Sequence, residues 1–83
     1  MSWINKHVHS IFSEDYDDRI DVWWVDDVTG VVMIRDWTND DASFSVYNVD
    51  LENRTVNHGA GYRSAADAKK EFNRRIEVEM DNQ

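Results

Sequence analysis

The sequence predicts an α+β fold: an N-terminal helix, a three- to four-stranded antiparallel sheet and a C-terminal helix. Apolar residues recur every three or four positions near both ends of the chain, and β-prone runs alternate with polar turns between those ends. These turns are too short for the crossovers that parallel strands need, so the strands should pair antiparallel. With 83 residues the chain has the size of one small domain, and we expect a single compact domain over residues 1–83.

The first predicted element is a short amphipathic helix. Its apolar residues are separated by three or four positions, with polar residues between them: Trp3, Ile4, Val8, Ile11 and Phe12. Ser2 suits its N-cap. A polar, acidic connector over residues 13–18 then leads to the first strand.

Strands are expected where β-branched and aromatic residues cluster, over residues 20–25, 31–34, 44–49 and, as a short fourth strand, 55–58. Residues 27–30 should form the first hairpin turn, in which Gly30 supplies a positive φ. Further turns are expected over residues 38–41 and 50–54. The Gly59-Ala60-Gly61 segment should end the last strand.

The C-terminal helix is predicted from Ala65 to near the end of the chain. Ser64 suits the N-cap and Asp67 the third helical position, and the apolar stripe continues with Ala65, Ala68, Phe72, Ile76 and Met80. We expect both helices on one face of the sheet, which is the simplest α+β arrangement. The alternative is that the helices cover both faces.

Composition limits the class of protein. The formal net charge is −8, while 41% of residues are hydrophobic and 12% aromatic, so the chain is expected to fold and not to remain an acidic disordered tail. A nucleic-acid-binding protein would show the opposite charge, which disfavours direct nucleic-acid contact. The chain has no Cys, no apolar run long enough to span a membrane and no recognisable secretory signal. The expected compartment is therefore the cytoplasm.

No pattern of catalytic or metal-binding residues stands out. His7 and His9 are two positions apart, so on a helix they face different directions, and no thiol is present to complete a zinc site. The Gly59-Ala60-Gly61 segment lacks the third Gly and the Lys of a phosphate-binding loop. We therefore expect no enzymatic activity, no metal and no cofactor.

Acidic residues are concentrated in one part of the chain. Residues 14–27 hold seven of them, namely Glu14, Asp15, Asp17, Asp18, Asp21, Asp26 and Asp27, and further acids follow at Asp36, Asp40, Asp41, Asp50 and Glu52. Carboxylates on a strand and its turns can present a row of negative charge, comparable to DNA, to a basic groove of another protein. The alternative is that the acidity serves solubility alone.

Trp23 and Trp24 are the second feature that indicates a partner. Neighbouring strand residues point to opposite faces, so Trp23 should face away from Trp24, in company with Trp37 or Tyr47. An aromatic patch with an acidic rim is typical of a protein-binding surface. Two alternatives remain open: the patch pairs two copies into a homodimer, or the helices cover it.

A basic cluster around the last helix has a simpler interpretation. The cluster consists of Arg63, Lys69, Lys70, Arg74 and Arg75. Its spacing suits local ion pairs with Asp67 and Glu71. We interpret them as a solvated, ion-paired helix face.

The acidic segment from Glu14 to Asp27, the absence of Cys and the compact helix–hairpin–helix layout resemble small phage-encoded inhibitors, such as anti-CRISPR proteins and the DNA mimics that block uracil-DNA glycosylase or restriction enzymes. The resemblance covers the whole chain as a profile of size, charge and layout. It implies that carboxylates occupy the basic groove of a nucleic-acid-binding protein, such as a CRISPR effector or a DNA-processing enzyme, beside an apolar anchor. The chain lacks the Glu-Ser-Ile segment of the glycosylase inhibitors, which disfavours that target.

Overall fold

A computed structural model describes residues 4–13, 18–38 and 41–82, with side chains described for residues 9–13, 18–35 and 43–82. The fold is α+β, with four antiparallel strands and a C-terminal helix, as predicted. The elements in chain order are α1 (Ile4–Ser13), β1 (Ile20–Trp24), β2 (Thr29–Thr38), β3 (Asp41–Asp50), β4 (Thr55–Tyr62) and α2 (Ala65–Asp81). Each strand pairs with the next along the chain, so the sheet order is β1-β2-β3-β4 and β1 lies at one edge.

The two helices pack on opposite faces of the sheet, which corrects the expectation that both lie on one face. Odd-numbered residues of β2 belong to a cluster beneath α2, which consists of Val31, Met33, Phe44, Val46, Ala68 and Phe72. Even-numbered residues of β2 belong to a cluster beneath α1, which consists of Ile11, Ile20, Val32, Ile34 and Val49. Because both faces of β2 are covered, its four successive apolar residues are all buried.

The turn between β1 and β2 covers residues 25–28, and Gly30 already belongs to β2. Gly30 has no positive φ, so the predicted turn role of this glycine is wrong. It pairs with Trp24, and a Cβ added at Gly30 would lie 2.5 Å from Cε3 of that indole. The missing side chain at Gly30 therefore makes room for Trp24 in the α1 cluster.

Strand β4 continues to Tyr62, beyond the predicted end at His58. Its pairing with β3 shifts by one residue, so that two residues of β4, His58 and Gly59, oppose Tyr47 alone. His58 adopts a φ of 58°, in the left-handed region that non-glycine residues rarely occupy. A Cβ at Gly59 would collide with the ring of Tyr47. The glycine-rich segment thus holds a β-bulge and does not end the strand.

Helix α2 begins as its sequence predicts. The Ser64 side chain accepts a hydrogen bond from the backbone N–H of Asp67 and so caps the first turn. Ala68 and Phe72 are buried against β2 and β3, and Ile76 packs beside them. Within the described part of the chain, neither helix combines the length and apolar character needed to cross a membrane.

Candidate interaction surface

The two adjacent tryptophans of β1 have different environments. Trp24 is half-buried and packs against the α1 cluster, whereas the Trp23 side chain lies on the sheet face on which α2 packs. Helix α2 packs mainly over β2, β3 and β4, so it does not shield the edge strand from solvent. Trp23 is consequently 52% exposed. Tyr47, which the sequence placed as a companion of Trp23, packs instead on the α1 side.

Asp21 lies on the same face of β1 as Trp23, two residues earlier. Its partner is Arg35 of β2, whose Nη2 lies 3.7 Å from Asp21 Oδ2. The same Nη2 donates a 2.6 Å hydrogen bond to the carbonyl oxygen of Asp18. The Asp21 side chain is 45% exposed, so its negative charge reaches solvent beside the indole of Trp23.

Asp26 shapes the turn between β1 and β2. Its Oδ1 accepts hydrogen bonds from the backbone N–H groups of Val28 at 2.8 Å and Thr29 at 2.7 Å. This local bonding is what makes Asp a frequent turn residue. Asp27, the next residue, is exposed. Of these two predicted partner-binding residues, Asp26 therefore stabilises the turn, whereas Asp27 is exposed on the surface.

A second acidic turn lies beside the first. The backbone N–H of Leu51 donates a 2.7 Å hydrogen bond to the carbonyl of Val28, which joins the turns over residues 25–28 and 51–54. Asp50 Oδ1 accepts from the N–H groups of Glu52 and Asn53. We call the acidic residues of these two turns, together with Asp50 at the end of β3, the carboxylate end; its members are Asp26, Asp27, Asp50 and Glu52.

Hydrogen bonding favours the charged form of Asp50 within the carboxylate end. The side-chain amide of Asn53 donates a 2.7 Å hydrogen bond to Asp50 Oδ2, and this bond, with those from the backbone N–H groups, lowers the pKa of Asp50. Helix α2 runs toward the same end, because Glu79 in its last turn accepts a hydrogen bond from Asn48, two residues before Asp50. That last turn has no basic residue, so the negative end of the helix dipole adds to the field.

The structure divides the predicted acidic row between the two ends of the sheet. Asp27 lies at the carboxylate end, whereas Asp36 and Asp41 belong to the β2–β3 hairpin at the opposite end. Asp18 is exposed near the start of β1. Glu14, Asp15, Asp17 and Asp40 lie outside the described residues, and the side chains of Asp36 and Asp41 are likewise not described.

Two arginines of α2 form a polar network with Glu71, which Arg75 extends to β3. Arg75 donates to Glu71 at 2.7 Å, to the carbonyl of Val46 at 3.2 Å and to the side chain of Asn48 at 3.1 Å. Arg74 adds a bidentate pair with Glu71. The spacing of Glu71 from the two arginines indicates ion pairs from sequence alone. Nothing in the sequence identifies Asn48 as a partner of Arg75.

These arginines hold Glu71 ionised. The hydrogen bond from Arg74 has the largest effect on the pKa of Glu71, and the bond from Arg75 acts in the same direction. Together they lower this pKa from 4.5 to about 2. An open groove lies beside the network, lined by Asn48, His58, Arg74, Arg75, Val78 and Glu79. Two arginines and one glutamate line it, and both arginines already pair with Glu71, so the groove does not favour a ligand of either charge.

Acid should weaken the fold through Glu71. Because its pKa is lower in the folded chain, its stabilising effect is complete above pH 4.5 and is lost as the pH falls toward 2. We expect Glu71→Gln to lower the free energy of unfolding by about 1 to 2 kcal/mol at pH 6, because solvent screens part of the ion-pair energy. The loss should be clearly smaller at pH 3. Urea unfolding of both proteins at the two pH values measures this. A difference that stays constant with pH would contradict the assignment.

Comparisons of the chain with protein-family models, with curated proteins and with solved structures find no match. The surface around Trp23 combines an exposed indole with half-exposed and exposed carboxylates.

Proposed function

We propose that this chain is a small acidic protein-binding module that engages a basic, nucleic-acid-binding protein and inhibits it by presenting carboxylates where DNA would lie. The observation that carries the proposal is the position of Trp23. It is 52% exposed on an edge strand, with Asp21 two residues before it and the carboxylate end beyond the close of the same strand. An aromatic anchor with a charged rim is the usual composition of a protein-binding site.

The charge supports a basic partner. A net charge of −8 on 83 residues steers a cationic protein toward the chain and repels nucleic acid. The same charge disfavours pairing of two copies through the Trp23 face, since Asp21 and the carboxylate end would then approach their equivalents. Phage counter-defence, for example inhibition of a CRISPR effector, is the biological setting that the resemblance in size and acidity suggests.

Displacement from DNA tests the proposal. DNA-binding proteins from a lysate of the source organism are retained on a duplex-DNA column at low salt and then eluted with the purified chain. We expect the wild type to release one basic protein. The variant Asp27→Asn/Glu52→Gln should associate with that protein about 10-fold more slowly at low salt, with a weaker salt dependence.

The matched control removes the same charge elsewhere. Asp67→Asn/Glu77→Gln neutralises two exposed residues of α2, and it should release the protein nearly as well as the wild type does. Equal loss of association rate in both double variants would show that only the net charge matters. Release of no protein, or recovery of a stable homodimer that ignores the column, would overturn the proposal, the second outcome in favour of the homodimer.

A further inference from the structure

We propose that Trp23 and Asp21 together form a binding site for one arginine side chain of the partner. The guanidinium stacks on the Trp23 indole and pairs with the Asp21 carboxylate. This inference rests on the proposed function and identifies the partner chemistry at that surface.

The spacing of the two residues suits a guanidinium. They are two positions apart on one face of β1, which separates their backbones by about 7 Å. A cation that lies over an indole within about 6 Å of the ring centre is attracted by the π-system. A planar guanidinium placed there presents its outer N–H groups toward the neighbouring carboxylate.

Both groups are available for a partner. Asp21 makes the 3.7 Å ion pair with Arg35 but accepts no hydrogen bond from any described residue, so its oxygens retain acceptor capacity. Trp23 is 52% exposed, so much of its indole is open to solvent. Trp24 differs, since its indole packs over Gly30 and in the α1 cluster. Only the first tryptophan of the pair therefore faces a partner.

Arg35 leaves Asp21 without a direct hydrogen bond. Asp21 already attracts one guanidinium from within the chain, while Nη2 of that guanidinium bonds to the carbonyl of Asp18 instead. The 3.7 Å separation therefore leaves the Asp21 oxygens open to a closer guanidinium donor from a partner. Lysine fits less well, because its ammonium is strongly hydrated and has no plane to stack.

Two capped peptides of equal charge, hexa-arginine and hexa-lysine, test the site with the whole chain at low salt. We expect hexa-arginine to bind the wild type about 5-fold more tightly than hexa-lysine in a calorimetric titration, which is in the range of one exposed cation–π contact. Trp23→Leu should abolish this preference and leave the affinity for hexa-lysine within twofold. Because Trp23 is exposed, that variant should remain folded.

Asp27→Asn is the matched control, since it removes a charge that lies outside the site. It should weaken both peptides equally and keep their ratio. A wild-type ratio near one, or a ratio that survives Trp23→Leu, would overturn the arginine site while leaving the acidic surface intact. If neither peptide binds the wild type at low salt, the proposed function fails as well.

Discussion

Phe72→Ala is expected to remove 3 to 5 kcal/mol, as a rough range, from the free energy of unfolding. Phe72 is 7% exposed and belongs to the α2 cluster together with Val46 and Met33. Truncating the side chain leaves a cavity, and a sheet that is packed on both faces cannot readily move to fill it. Since a chain of this size has a total stability on the order of 4 to 12 kcal/mol, this loss is a large fraction of the total and should clearly lower the urea concentration at the unfolding midpoint.

Urea unfolding monitored by circular dichroism measures this loss, with Met80→Ala as the control on the same helix. Met80 is 54% exposed, so its truncation should cost less than about 1 kcal/mol. If Phe72→Ala and Met80→Ala unfold at similar urea concentrations, α2 does not depend on the sheet as described.

Gly30→Ala is the second substitution with a large expected effect, about 2 to 3 kcal/mol of destabilisation. The new Cβ would lie 2.5 and 2.7 Å from two ring carbons of Trp24 and 3.2 Å from the carbonyl oxygen of Trp23. The backbone oxygen cannot move without disturbing β1. The indole of Trp24 must therefore leave its place against the α1 cluster.

Gly61→Ala is its matched control, because a Cβ there meets nothing within 4 Å and the residue has no positive φ. It should leave stability unchanged or raise it by up to about 1 kcal/mol, since alanine restricts the unfolded chain. Thermal unfolding of both variants decides the matter. Equal effects at the two positions would mean that Trp24 does not pack on Gly30.

Periodicity and turn chemistry in the sequence were sufficient to predict the order of elements. The Ser64 cap and the α2 stripe through Phe72 depend on local spacing, and both are confirmed. The faces of the helices are a different matter, since they depend on contacts between distant segments. The run over residues 31–34 did contain a signal: four successive apolar residues indicate a strand covered on both sides.

Other features depend on register, which the sequence does not show. The Gly59-Ala60-Gly61 segment predicts an early end of β4, because the bulge that allows the strand to continue depends on its pairing with β3. The carboxylate end forms because Val28 and Leu51, 23 positions apart, become hydrogen-bonded neighbours. Sequence proximity instead grouped Asp27 with Asp36, which the structure separates by most of the length of β2.

The bulge in β4 also affects how the protein behaves at high concentration. This edge strand has eight residues without a charged side chain or a proline, the composition that invites another chain to add to a sheet and begin aggregation. The extra residue at His58 bends the strand and breaks the regular series of backbone donors and acceptors that an added strand would need. The strained φ of His58 is thus a small local cost of the bulge. The bulge keeps this edge strand from acting as a template for added strands and fibre growth.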